Sequence, residues 1–253
     1  MEISLKAEHL FSIGNFNITN SLLLAFLASL FLLVFSIIFR SKIKMIPGVI
    51  QAIVEMIIEW LLGVMESVLG TREKAEKYLP IIATIFIFIF VSNWLSLLPG
   101  VGSFVMNEGH TDIPLLRAPS ADLNFTLALA IMSVLLTNIL GIVILGVIPH
   151  ISKFINFSNP INFFVGILEL VSEIAKIISF AFRLFGNIFA GEVLMTIMFF
   201  LVPYIIPMPF LFLELFVGVI QAFIFAMLTL VFIAAGTTSH AEHAEEHKEL
   251  AHN

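Results

Sequence analysis

The chain has 253 residues, 60% of them hydrophobic and 12% charged, with 27 phenylalanines and a formal charge of -6, and a mean hydropathy of +1.09. A water-soluble fold cannot hide that much apolar surface, so the composition is that of a multi-pass membrane protein. Cysteine is absent, which excludes disulfides, thiolate metal sites and cysteine nucleophiles; the acidic stretch 240–253 supplies much of the modest net charge, and nothing in the balance points to nucleic acid.

In chain order, residues 1–20 read as an external N-terminal segment, and 21–39 as a first span long enough to cross roughly 30 Å of hydrocarbon. Arg40, Lys42 and Lys44 close it, a basic cluster that marks a cytoplasmic end. No small-residue cleavage site follows this run, so no cleavable signal is expected. Residues 47–69 carry Glu55, Glu59 and Glu66 at helical spacing opposite an apolar face, the pattern of a helix lying at the interface, with Trp60 as an anchor at headgroup level. A linker holding Arg72, Lys74 and Lys77 leads to a second span over 81–98, which Pro99 and Gly100 end. A polar loop follows. Asp122 and Asn124 read as a helix start, before a third span over 125–148 that ends at Pro149, His150 and Lys153. Two long apolar stretches, 161–202 and 204–236, and a tail over 237–253 complete the chain. The tail histidines His240, His243, His247 and His252 sit in an alternating polar run and read as solvated, and no metal site or cofactor is expected.

Lysine and arginine positions test this threading. Arg40, Lys42, Lys44, Arg72, Lys74, Lys77, Lys153 and Lys248 fall on one side, and Lys6 and Arg117 on the other. That bias predicts an outside N-terminus and a cytoplasmic C-terminus. No internal period or inverted half-repeat is visible, which weakens a reading as a secondary transporter. The expected fold class is an all-α integral membrane protein. It is one membrane domain of about five transmembrane helices plus one interfacial amphipathic helix, the last two helices forming a long tilted hairpin.

Arg183 is the most informative residue. Arginine keeps its proton in proteins, and a charge at mid-bilayer costs about 2.5 to 3.5 kcal/mol on insertion scales, so a charge set in some forty apolar residues points to ion movement. At 100° per residue, Glu169, Glu173, Lys176, Arg183 and Asn187 fall within about 80° of one another, a polar stripe down one face. Glu192 lies about 180° round the helix from Arg183 and roughly 13 to 14 Å further along its axis. On the last helix Glu214 and Gln221 share a face. Facing residues of an antiparallel pair have a nearly constant mean position. The pairs Arg183/Gln221 and Glu192/Glu214 both centre on 202–203, where Pro203 stands, so each pair is expected at one level. Plainer roles exist for these residues. Arg183 pairs with a buried glutamate in one, and Glu192 and Glu214 are an inert acid pair in another. Asn187 and Gln221 serve equally as interhelical glue, Glu169 and Glu173 as solvated charges at the headgroups, and Lys176 as a cation snorkelling toward the cytoplasm.

The runs Arg183-Leu-Phe-Gly-Asn187, Ala190-Gly-Glu192 and Gln221-Ala-Phe-Ile-Phe225, with Asn159-Pro-Ile-Asn162, Pro119-Ser-Ala-Asp-Leu-Asn124 and Thr19-Asn20, resemble subunit a of the F-type ATP synthases over nearly the whole chain. The resemblance implies a proton-channel stator subunit. Arg183 then takes the place of the essential arginine facing the ring of c subunits, with Asn187, Glu192, Glu214 and Gln221 along the outer half-channel and Glu169, Glu173 and Ser179 along the inner one. Both the Glu192 and the Glu214 positions are glutamate here, where relatives place a histidine at the latter in some cases. It implies as partners a c-ring with membrane carboxylates, peripheral-stalk b subunits and the remaining synthase subunits. ATP chemistry belongs to those partners, since this chain has no G-x-x-x-x-G-K-[ST] phosphate loop. The implied location is the inner membrane of a bacterium, with an organelle-encoded chain as the alternative. The competing functional readings are a self-contained ion channel or ion-coupled transporter, and a structural membrane scaffold.

Overall fold

Thr19 starts the first long helix by accepting the backbone N–H of Leu22 on its hydroxyl at 3.3 Å, which satisfies one of the free donors of the first turn. The computed structural model describes residues 7–14, 16–98, 101, 105–108, 111–152, 154, 160–202 and 206–237; the expected hairpin centre at Pro203, Lys153 and the tail histidines lie outside them. Strands β1 (His9–Ile13) and β2 (Phe16–Thr19) form a small antiparallel hairpin ahead of α1 (Asn20–Lys42). Sequence reasoning assigned no structure to this segment, because two short strands carry too little periodicity to register. Helix α1 buries only Asn20, Ser21, Leu24, Ala25 and Ala28, so its first turns rest on the bundle and the remainder presents Phe26, Phe31, Leu33 and Ile37 outward.

Helix α2 (Val49–Leu69) ends at Gly70, whose φ of +77° permits the left-handed turn that returns its N–H to Glu66. The region expected to be a linker and then a span over 81–98 is instead one continuous helix, α3 (Arg72–Ser96), running through Pro80. Hydropathy detects the apolar run alone. The preceding turns are amphipathic, and burial of Ala75 and Tyr78 holds them helical. The polar loop contains a second hairpin, β3 (Val105–Glu108) with β4 (Thr111–Pro114), and a 3-10 turn at Pro119–Ala121.

Asp122 caps α4 (Leu123–Leu145), accepting the N–H of Asn124 at 2.9 Å. The expected end at 148 is not found: Gly146, with φ +89°, turns the chain into the short α5 (Val147–Ser152). Helix α6 (Pro160–Leu201) has 42 residues, about 63 Å at 1.5 Å per residue, twice the thickness of the hydrocarbon core, so it lies strongly tilted in a bilayer. Helix α7 (Pro207–Thr237) returns against it. Among the described residues α1, α3, α4, α6 and α7 are long and apolar enough to cross a membrane, and the protein is an all-α integral membrane protein.

Helix α7 is the centre of the bundle, packing on α3, α4, α6 and α2. Gly218, Ala222 and Ala226, four apart and buried, let backbones approach closely. A Cβ at Gly218 would stand 3.3 Å from that of Asn93. Polar bonds lock one end of the bundle: Ser21 to Asp122 at 2.6 Å, Ser120 to Asn93 at 2.6 Å, Asn20 to the carbonyl of Pro114 at 3.2 Å. Each joins elements far apart in sequence and satisfies a group that would be costly to leave bare away from water.

Candidate functional site

One face of α6 turns Phe180, Ala181, Leu184 and Ile188 into the core, each 3% exposed or less. The helical period then leaves Phe182, Arg183, Gly186 and Asn187 exposed on the other side. Arg183 is held by its own helix: Nη2 donates to Ser179 Oγ at 3.2 Å, and Asn187 Nδ2 donates to the Arg183 carbonyl at 3.0 Å. It forms no ion pair among the described residues, so the reading in which Arg183 pairs with a buried glutamate is not what this chain adopts. Gln221, buried on α7, lines one narrow crevice with Arg183, Phe180, Leu184, Phe225 and Leu228. The two residues share a level of the hairpin.

The second level lies nine residues along α6. Gly191 there has no side chain, and Glu214 fills the space, its Oε1 standing 2.7 Å from where a Cβ would be. Glu214 is buried, and its Oε2 has no hydrogen-bond partner among the described residues. The charge of Glu192 acts on it. Glu192 itself is held by Arg117, whose Nε lies 3.1 Å from Oε1 and 3.2 Å from Oε2. The Arg117 side chain is 7% exposed against 35% for Glu192, and its guanidinium also lies over the ring of Phe189. Sequence reasoning counted Arg117 only as a charge outside the membrane. The available signal was a lone arginine among Leu115, Leu116 and Ala118 just ahead of the Pro119-Ser-Ala-Asp122 turn.

The third level lies ten residues before Arg183, about 15 Å along the axis. Glu173 accepts from Lys176 Nζ at 2.6 Å and from Asn138 Nδ2 at 3.2 Å. Lys176 lies between that carboxylate and the ring of Phe232, 4.8 Å from its centroid. Asn138 is an amide deep within an apolar helix, a signal that sequence reasoning passed over. Glu169, one turn earlier and half-buried, makes no side-chain hydrogen bond or ion pair among the described residues. No group of three metal-ligating side chains occurs among them either.

The expected stripe is therefore divided. Arg183, Ser179, Asn187 and Gln221 come together at one level, Glu192 and Glu214 at a second, Glu173 and Lys176 at a third, and Glu169 stands apart. Fold and site together define a multi-pass helical membrane protein whose ionisable groups are gathered at separate depths along one helix pair. The profile of the ATP synthase A chain family matches residues 21–234. ATP synthase subunit a of Mycobacterium ulcerans (strain Agy99) is 37% identical over 230 residues, covering 89% of each chain. That of Moorella thermoacetica is 31% identical over 235 residues, 93% of this chain and 98% of the relative. That of Nitratiruptor sp. is 33% identical over 220 residues, 86% and 89% of the two chains. The chain belongs to the ATP synthase A chain family. It is thus a proton-translocating membrane subunit of the Fo sector, a component that does not itself carry the chemistry of ATP.

Proposed function

We propose that the chain forms two offset half-channels separated by Arg183, through which protons reach and leave a rotating ring of carboxylate-bearing c subunits. The observation that carries this reading is the placement of Arg183 on the exposed face of α6 with no carboxylate partner among the described residues. An opposite charge brought within ~4 to 6 Å of an arginine is stabilised as the anion, so a ring carboxylate arriving at this face gives up its proton there. Away from the arginine the ring site faces lipid, where only the neutral acid is tolerable. Glu192 and Glu214, with Asn187 and Gln221 nearer the arginine, line the outer half-channel. Glu173, Glu169 and Ser179 line the inner one.

The two groups of acids sit on opposite sides of the arginine level, which supports a path that no proton completes without riding the ring. The drive is about 2.3 kcal/mol per charge per 100 mV. The bias of basic residues supports an outside N-terminus and a cytoplasmic C-terminus in a bacterial inner membrane, with the whole chain acting as one membrane domain beside the c-ring and the peripheral-stalk b subunits. The test is ATP synthesis driven by a proton gradient in membranes carrying Arg183→Ala beside wild type. Synthesis falls to background while the complex still assembles; a wild-type rate overturns the reading.

A further inference from the structure

His150 is the one buried histidine among the described residues, 5% exposed on the six-residue α5, and nothing in the translocation scheme above uses it. Its ring is fixed in place: a Cβ on Gly141 of α4 would stand 2.7 Å from His150 Cε1. Its Nε2 lies 3.0 Å from Asn138 Oδ1. The orientation of the Asn138 amide follows from its neighbours. Nδ2 faces two acceptors, the Val134 carbonyl at 2.9 Å and the Glu173 carboxylate at 3.2 Å, so the NH2 group must stand there. Oδ1 is left facing the histidine. An amide oxygen only accepts, so Nε2 of His150 carries a hydrogen and donates it.

We infer that His150 is a positioning residue for Glu173, acting through Asn138. The histidine N–H holds the amide oxygen, as the Val134 carbonyl holds the amide nitrogen, and the amide so held keeps an N–H aimed at the Glu173 carboxylate. The groups around it are few. Helix α6 contributes Lys176, on the other carboxylate oxygen, and Glu169 one turn earlier. Helix α4 contributes Asn138 and has no charged residue along its length. Helix α7 contributes the Phe232 ring over Lys176, its single charged residue, Glu214, lying far along the helix. Helix α5 contributes His150. With the histidine donor gone, the amide is held at its nitrogen alone, by the Val134 carbonyl, and the N–H aimed at Glu173 is kept in place less firmly.

The inference rests on the reading of Glu173 as part of the inner route. It is tested in liposomes carrying the complete synthase, with synthesis rates measured per assembled complex at constant driving force. His150→Phe and Asn138→Leu, two independent ways of removing the relay, are expected to lose up to roughly tenfold in rate, the scale of one hydrogen bond to a charged group. His150→Gln, whose amide N–H reaches where Nε2–H stood, restores most of the rate. A His150→Gln as impaired as His150→Phe overturns the inference, since packing alone would produce that result. Glu173→Gln separates the two claims. A wild-type rate for it removes the inner-route reading and the inference with it; an impaired Glu173→Gln beside unimpaired His150→Phe and Asn138→Leu removes the inference alone.

Discussion

Arg117 and Arg183 are the two arginines nearest the translocation chemistry, and their surroundings differ in kind. Arg117 is almost fully buried and bound to Glu192; Arg183 is exposed and, among the described residues, bonded within its own helix. Removing one member of a buried ion pair leaves the other charge uncompensated. Arg117→Gln is therefore expected to reduce ATP-driven proton pumping into vesicles by roughly tenfold, with Arg117→Lys retaining more of the rate because the charge remains and only the two-point contact is lost. A wild-type pumping rate for Arg117→Gln would show that Glu192 needs no cation. Glu192 and Glu214 were legible as a facing pair from their positions. The arginine was not, because a contact across 75 residues leaves no trace in local periodicity.

Among the elements, the α3–α7 seam is the tightest, with Asn93 Nδ2 and Trp94 Nε1 each donating at 3.3 Å to the carbonyls of Gly218 and Leu215. Gly218→Val places two extra methyl groups where a single Cβ already stands 3.3 Å from Asn93. Overpacking of this kind costs about 1 to 3 kcal/mol, so the thermal midpoint of the purified complex should fall, and an unchanged midpoint would mean that the helices separate freely. Helix α2 is tied more loosely. Arg72 grips Glu59 at 2.7 Å, yet both side chains are well exposed. The Arg72 hydrogen bond holds the Glu59 carboxyl below its ordinary range. The pair thus persists at neutral pH and is lost only in acid, as pH falls through that depressed value, and its exposure makes its contribution small.

For the whole molecule, the arrangement of depths matters more than any one contact. The Arg183 crevice is narrow and lined mostly by Phe180, Leu184, Phe225 and Leu228, between an acid pair at one level and the Glu173 group at another. The purified chain reconstituted alone in liposomes is expected to leave a proton gradient intact, read with an internal pH dye, whereas a self-contained channel would collapse it. Dissipation by this chain without the ring would sink the half-channel reading.

By itself the sequence determined the membrane class, the number of crossings and the level of each acid on the hairpin, because hydropathy and helical period are properties of consecutive residues. Boundaries set by packing escaped it: the helical turns ahead of the second crossing, held by Ala75 and Tyr78, and the break at Gly146. So did the side chains that orient the acids. Arg117, Asn138 and His150 reach Glu192 and Glu173 only once α4, α5, α6 and the 3-10 turn are brought together, and the physical reason is that partners of buried polar groups are chosen by proximity in space, on which the order of residues along one helix is silent.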